Sequence, residues 1–330
     1  MEKYRVGIVG ATGMVGQRFI SLLKDHPWFE VNCVAASARS AGKTYREAVG
    51  ERWAFAWEIP EKVAGMTVVD AADIDEVSKH VDFVFCAVDM KKDEIRALEE
   101  AYAKHEIPVV SNNSACRGIE DVPMVVPEIN ADHLAVIEAQ KKRLGTKNGF
   151  IAVKPNCSIQ SYVPALTPLL DFEPEKVSVC TYQAISGAGK TFKTWPEMVD
   201  NVIPYIGGED EKSENEPLKL WGHVEDGKIV NATLPVISAQ CLRVACSDGH
   251  MAAVSVSFKK KPTIEQIKER WANYETEAQR LELPSAPKPF LQYFEDPSRP
   301  QTRLDRDFQN GFGVSIGRLR EDKLFDYRFV

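Results

Sequence analysis

The feature that most constrains the fold lies at the start of the chain. Tyr4-Arg-Val-Gly-Ile-Val9 is a short apolar run that passes directly into Gly10-Ala-Thr-Gly-Met-Val-Gly16. Gln17-Arg-Phe-Ile-Ser-Leu-Leu-Lys24 follows, with its apolar residues at helical spacing. Strand, glycine turn and helix in that order predict the first unit of a doubly wound α/β sheet. The run from Gly10 fits G-x-x-G-x-x-G, a looser form of the dinucleotide fingerprint. Glycines there allow a tight turn and let a pyrophosphate approach the helix N-terminus. Gly10, Ala11, Thr12, Gly13, Met14 and Val15 are therefore the candidate cofactor-binding residues of this turn.

Strand-like and helical stretches keep alternating through 30–36, 66–69, 82–88, the helix 93–104, and 108–114. That alternation predicts a mostly parallel sheet, a Rossmann-type domain over 1–155. The second strand ends in Ser37-Ala-Arg39-Ser40-Ala-Gly-Lys43. An NAD binder usually carries an acidic residue at this tip for the ribose hydroxyls. Hydroxyls with an arginine suit a 2′-phosphate instead, so Ser37, Arg39 and Ser40 point to NADP.

Beyond residue 155 the texture changes. Longer strands are expected at 176–185, 229–235 and 249–258, with helices around 209–221 and over 263–277. These predict an α+β catalytic and dimerisation domain over 156–311 with a largely antiparallel sheet. The charged, proline-rich stretch 283–303 reads as an exposed excursion, and 312–330 as a return to the first domain. No internal repeat is present.

Lys154-Pro-Asn-Cys157-Ser falls where the strand 149–153 should meet a helix over 158–170. The positive end of a helix favours thiolate over thiol, which suggests that Cys157 is a nucleophile. The seven cysteines form no CxxC pair and their number is odd, as in a reduced intracellular chain. Six histidines form no metal-binding spacing. A net charge of -7 argues against nucleic acid as the main partner. Neither a signal peptide nor a membrane span is evident, so the cytoplasm is the expected location.

Taken together, the ordered motifs resemble the aspartate-β-semialdehyde dehydrogenase family over nearly the whole chain. They are Gly10-Ala-Thr-Gly-Met-Val-Gly16, Ser111-Asn-Asn-Ser-Ala-Cys-Arg117, Pro155-Asn-Cys-Ser158, Thr181-Tyr-Gln-Ala-Ile-Ser-Gly-Ala-Gly189, Glu209-Asp-Glu-Lys212 and Arg243-Val-Ala-Cys-Ser-Asp-Gly-His250. The Ser37–Lys43 loop and the Asn-Cys-Ser context look most like the branch found in archaea, fungi and some bacteria. The resemblance implies reductive dephosphorylation of 4-phospho-L-aspartate to L-aspartate 4-semialdehyde, using NADPH, on the way to lysine, threonine and methionine. It implies that Cys157 forms a thioester, that His250 is the general acid/base, and that Gln183 orients the acyl group. Arg243 would grip the substrate carboxylate and Glu209 its ammonium, while Lys212, Arg117 and Asn156 would receive phosphate. Ser186, Gly187 and Gly189 would approach the nicotinamide half of NADP. A homodimer or homotetramer is expected.

Other readings exist. Ala184-Ile-Ser-Gly-Ala-Gly-Lys190-Thr191 nearly spells a P-loop, but Ala184 replaces its first glycine. Malonyl-CoA reductase shares the scaffold and the thioester, and N-acetyl-glutamyl-phosphate reductase shares the fold. Glu209 with Arg243 favours an amino-acid substrate over both. A non-catalytic relative is disfavoured by the presence of Cys157 and His250. Family members continue past 312–317 into a further strand and a closing helix, whereas this chain ends at Phe325-Asp-Tyr-Arg-Phe-Val330. The resemblance therefore leads us to expect a longer protein.

Overall fold

The computed structural model describes residues 2–330. The chain divides into two compact units. Unit 1 runs up to Val125 and includes Asp132–Lys154 and Val224–Ile229. Unit 2 comprises Val126–Ala131, Pro155–His223 and Val230–Val330.

Unit 1 is built on six strands, β1 (Tyr4–Val9), β2 (Phe29–Ala36), β3 (Val69–Asp70), β4 (Phe83–Cys86), β5 (Val109–Ser111) and β6 (Ile151–Val153). All pair in parallel, in the order β3-β2-β1-β4-β5-β6. This order reverses direction at β1, which makes the end of β1 the switch point where such sheets bind ligands. Val6 and Ile8 of β1 are fully buried with Val34 and Ile20, each such side chain contributing roughly 1.5–3 kcal/mol.

The glycine turn occupies the switch point. Gly10 and Ala11 donate their N–H groups to the Ala35 carbonyl at 2.9 and 3.0 Å, which stitches the turn to β2. Gly10 has φ +88°, where only glycine is relaxed. The helix Met14–Leu23 follows, its N-cap being Gly13, with no acidic residue in its first turn. A Cβ on Gly16 would run into the Gly10 carbonyl and lie 2.7 Å from Ala11 Cα. Gly16→Ala should therefore lower stability by about 1–3 kcal/mol, because backbone has to move. Thermal unfolding checks this; an unchanged midpoint would mean the turn is not so tightly closed.

Unit 2 carries a second six-stranded sheet. Its members are β7 (Pro174–Gln183), β8 (Val202–Ile203), β11 (Val236–Val244), β12 (Met251–Phe258), β15 (Arg320–Glu321) and β16 (Tyr327–Phe329). A hairpin of β9 (His223–Glu225) and β10 (Lys228–Val230) and a parallel pair of β13 (Leu291–Phe294) and β14 (Val314–Gly317) complete the strands. The large sheet has the order β15-β16-β12-β7-β11-β8. Only β7/β11 is a parallel pair; the other contacts are antiparallel. Strand alternation puts Val177, Val179, Thr181 and Gln183 of β7 inside. The opposite face shows Ser178, Cys180 and Tyr182, beside Ser238, Gln240 and Leu242 of β11.

Three expectations need correction. Residues 312–330 do not return to unit 1: β16 pairs with β12, and Tyr327 and Phe329 are buried in unit 2 against Phe258 and Trp271. The stretch 283–303 is not wholly exposed, since Phe290 and Leu291 are buried and Leu291 starts β13. Nor is 158–170 one helix. Ser158–Ser161 is a 3₁₀ turn, Val163–Leu166 one turn of α-helix and Thr167–Phe172 again 3₁₀. Pro164 and Pro168 remove the N–H groups a continuous helix would need. The strong helix dipole expected behind Cys157 is therefore absent, and its charge support has to come from side chains.

Candidate active site

Three strand ends in unit 2 meet at one edge of its sheet. β7 and β11 are parallel, so their C-terminal ends lie side by side, with Gln183 the Cα partner of Arg243. β12 runs the other way and starts at Met251 opposite Tyr182, which brings His250 to the same edge. Cys157 follows the turn from Pro155 and is the cysteine classed as exposed, whereas Cys116 is fully buried. His250 Nε2 lies 3.2 Å from Cys157 Sγ. Its Nδ1 accepts the Ala184 N–H at 3.0 Å.

Arg243 is 6% exposed. Its Nη1 donates to the Ala184 carbonyl at 2.7 Å, and it makes no ion pair with a carboxylate among the described residues. Burial pulls the guanidinium below its ordinary value, while Cys157 and Glu209 act in the opposite direction. A buried guanidinium without an ion partner is costly, so the site is suited to an anion brought by a ligand. The Ile185–Ala188 turn closes over this group. A Cβ on Gly187 would stand 3.0 Å from Arg243 Nη1 and 3.2 Å from His250 Nε2, so the backbone has to be bare there.

The second cluster centres on Glu209, first residue of the helix Glu209–Leu220. Asn156 Nδ2 donates to both Glu209 oxygens at 2.9 Å, Lys212 Nζ to one at 2.8 Å and Gln183 Nε2 to the other at 3.3 Å. Burial pushes the Glu209 carboxyl up, but Lys212, Asn156 and Gln183 together hold it below its ordinary value. Asn156 is the hinge between the two clusters. Its Oδ1 accepts the Ser158 N–H and hydroxyl at 2.8 and 2.6 Å, which fixes the turn that carries Cys157. The Asn156 N–H donates to Glu216 Oε2 at 2.5 Å.

Six of the expected residues therefore come together: Cys157, His250, Arg243, Gln183, Glu209 and Asn156, with Lys212 attached to Glu209. Arg117 belongs to unit 1, in the loop after β5, where its Nη2 donates to the Asn112 carbonyl at 3.1 Å. Ser186 and Gly187 lie in the turn beside His250, and Gly189 ends it at φ +67°. The next helical element after that turn is the short 3₁₀ turn Pro196–Met198, so no α-helix starts at Lys190-Thr191 and the P-loop reading fails. Sequence reading overlooked Glu216, although 209, 212/213 and 216 share one helical face. It also overlooked Ala184, which acts through its main chain.

The Ser37–Ser40 loop follows β2 directly and closes through the Ser40 N–H on the Ser37 carbonyl at 2.8 Å. Arg39 is exposed there, with no hydrogen bond or ion pair among the described residues. A bare turn at Gly10–Gly16, a helix start without acids and a free arginine at the β2 tip fit a dinucleotide with a 2′-phosphate. Arg39→Ala should weaken NADP binding roughly tenfold or more and leave NAD binding nearly unchanged, since charge-assisted bonds contribute about 1.5–3 kcal/mol each. Ser37→Asp should go further by repelling the phosphate. Dissociation constants for both dinucleotides decide; an equal loss for both would remove this loop from phosphate recognition.

Residues 5–137 match the family model of the semialdehyde dehydrogenase NAD binding domain, and residues 166–330 that of the semialdehyde dehydrogenase dimerisation domain. The chain is 42% identical to aspartate-semialdehyde dehydrogenase of Archaeoglobus fulgidus over 322 residues, 97% of this chain and 90% of that one. It is 43% identical to the enzyme of that name from Schizosaccharomyces pombe over 332 residues, 99% of this chain and 91% of the relative. The chain belongs to the aspartate-semialdehyde dehydrogenase family. A crystal structure of that enzyme with NADP from Candida albicans superposes with a TM-score of 0.89 at 37% identity, over 99% of this chain and 92% of the other. Family membership agrees with the α/β architecture. Among the described residues no helix is long and apolar enough to cross a membrane.

Proposed function

We propose that this chain catalyses the NADP-dependent interconversion of 4-phospho-L-aspartate with L-aspartate 4-semialdehyde and phosphate. The observation that carries the reading is the buried, carboxylate-free Arg243 beside the Cys157–His250 contact. A substrate bearing a carboxylate and a reactive acyl carbon meets both features. Cys157 Sγ attacks the acyl carbon; a C–S bond forms, the C–O bond to phosphate breaks, and phosphate leaves with the electron pair. The Gly10–Val15 turn with Ser37, Arg39 and Ser40 would hold NADP, which when bound would supply or accept the hydride. His250 Nε2 gives and takes the proton on the acyl oxygen, and release of the aldehyde returns the electron pair to sulfur.

Glu209 already accepts four hydrogen bonds, about the capacity of a carboxylate. It takes the substrate ammonium by releasing Lys212, which then becomes available to phosphate; Arg117 is a further candidate for phosphate. Asn156 has its donors engaged by Glu209 and Glu216, so reaching phosphate would cost it those contacts; Gln183 is likewise turned to Glu209 and Thr181. Ser186, Gly187 and Gly189 border the nicotinamide half. The reading places the cofactor on 1–155 and catalysis and dimerisation on 156–311. Exposed Tyr182 with half-buried Leu242 and Met251 beside it makes an apolar face for a second subunit, and dimers can pair into tetramers. The cysteines, none of them in a disulfide, suit the cytoplasm.

The test is phosphate-dependent reduction of NADP with aspartate semialdehyde. Reduction that requires both is expected. Activity only with malonate semialdehyde and coenzyme A would move the chain to the malonyl-CoA reductase reading.

A further inference from the structure

Residues 246–249 join the strand that carries Arg243 to the strand that His250 precedes, and they are neither helix nor strand. This loop is gripped on two sides. On one, the Cys246 carbonyl accepts the Ile185 N–H at 2.9 Å and the Ser247 carbonyl accepts the Ser186 N–H at 3.2 Å. The loop thus anchors the turn that closes over Arg243. On the other side stands Arg306. Its Nη1 donates to Ser247 Oγ at 3.0 Å and to the Asp248 carbonyl at 3.3 Å. Thr302 Oγ1 adds a contact to Cys246 Sγ at 3.3 Å.

The side chain of Arg306 makes no other hydrogen bond and no ion pair among the described residues. Ordering a long arginine is entropically costly, and here that cost is offset by bonds to one loop alone. Arg306 follows the short helix Thr302–Asp305. That segment is fixed by buried Asp305, which pairs with Arg299 and accepts the Gln301 N–H at 2.6 Å. The brace ends next to the chemistry. Gly249 directly precedes His250 at φ +87°, and a Cβ there would stand 3.1 Å from Arg306 Cβ. A glycine in front of His250 is a swivel unless something holds the loop. His250 Nε2 has to stay 3.2 Å from Cys157 Sγ, and an error of about 1 Å in such a contact can cost roughly a hundredfold in rate.

We infer that Arg306 is a positioning residue, bracing the 246–249 loop and thereby keeping His250 against Cys157. The inference deepens the functional reading above and rests on Cys157 and His250 being its reacting pair.

A double-mutant cycle read without substrate tests it. The rate of Cys157 alkylation by iodoacetamide, with the modified peptide identified by mass spectrometry, is measured for the parent, Arg306→Met, His250→Asn and the double variant. Arg306→Met keeps the aliphatic stem beside Gly249 and removes every donor. It should change the rate about fivefold or more in the parent and less than about twofold in the His250→Asn background. An equal factor in both backgrounds, or no change in the parent, overturns the inference. If Arg306→Met does not fold, Arg306→Gln takes its place under the same two criteria. With substrate, Arg306→Met should lower kcat roughly tenfold or more and leave KM for the semialdehyde within about threefold. A raised KM with kcat unchanged would make Arg306 a binding residue and end the inference. A chain inactive on aspartate semialdehyde can still satisfy the alkylation cycle, so failure of the substrate reading is told apart from failure of the brace.

Discussion

Cys157→Ser is expected to abolish turnover while NADPH binding stays within about twofold of the parent. The dinucleotide turn belongs to unit 1 and Cys157 to unit 2, and no hydrogen bond of the Cys157 side chain other than that to His250 is present among the described residues. The substitution therefore touches the chemistry and little else. A serine hydroxyl stays protonated near neutral pH and is a far weaker nucleophile than a thiolate. Mass spectrometry of the parent enzyme with substrate should find the acyl group on Cys157. Burial pushes the Cys116 thiol far above its ordinary value, and its full burial bars access. An adduct on Cys246, which is partly exposed, would relocate the site.

Arg243→Lys should cost roughly ten- to a hundredfold in kcat/KM for the amino-acid substrate. Lysine keeps the charge but loses the planar fork that holds a carboxylate by two bonds, and it cannot also reach the Ala184 carbonyl in the same pose. Losing one charge-assisted bond accounts for about 1.5–3 kcal/mol. NADP binding should be unaffected. A change below about threefold would mean that Arg243 is not the carboxylate ligand.

Much of the molecule could be read from the chain because local and global signals agree. The β1–turn–helix unit was legible because apolar period, glycine spacing and position coincide at residues 4–24. The meeting of Cys157 with His250 was legible because both sit in motifs of restricted composition. β11 was not, because Ser238, Gln240 and Arg243 break the apolar run that marks a strand, and Arg243 is a charged side chain turned inward. The helix after Cys157 was overextended because apolar spacing outweighed Pro164 and Pro168. The stretch around 290 looked exposed because charge and proline surround a Phe-Leu pair that is buried. Ala184 left no trace at all: a role played by the backbone has no side-chain signature.

The alternation along β7 and β11 has a consequence for how this protein can change. Gln183 and Arg243 are buried on the inner face, and their immediate predecessors Tyr182 and Leu242 face outward. Across the strand pair the next neighbours repeat the choice, with Met251 outward beside His250. Deleting one residue within either strand would exchange the two faces from that point on. It would carry the Arg243 guanidinium to the outer surface and a bulky apolar side chain to the inner face in a single step. Insertions and deletions in these strands are thus forbidden twice, so length variation among functional descendants should collect in the loops at the opposite edge of the sheet.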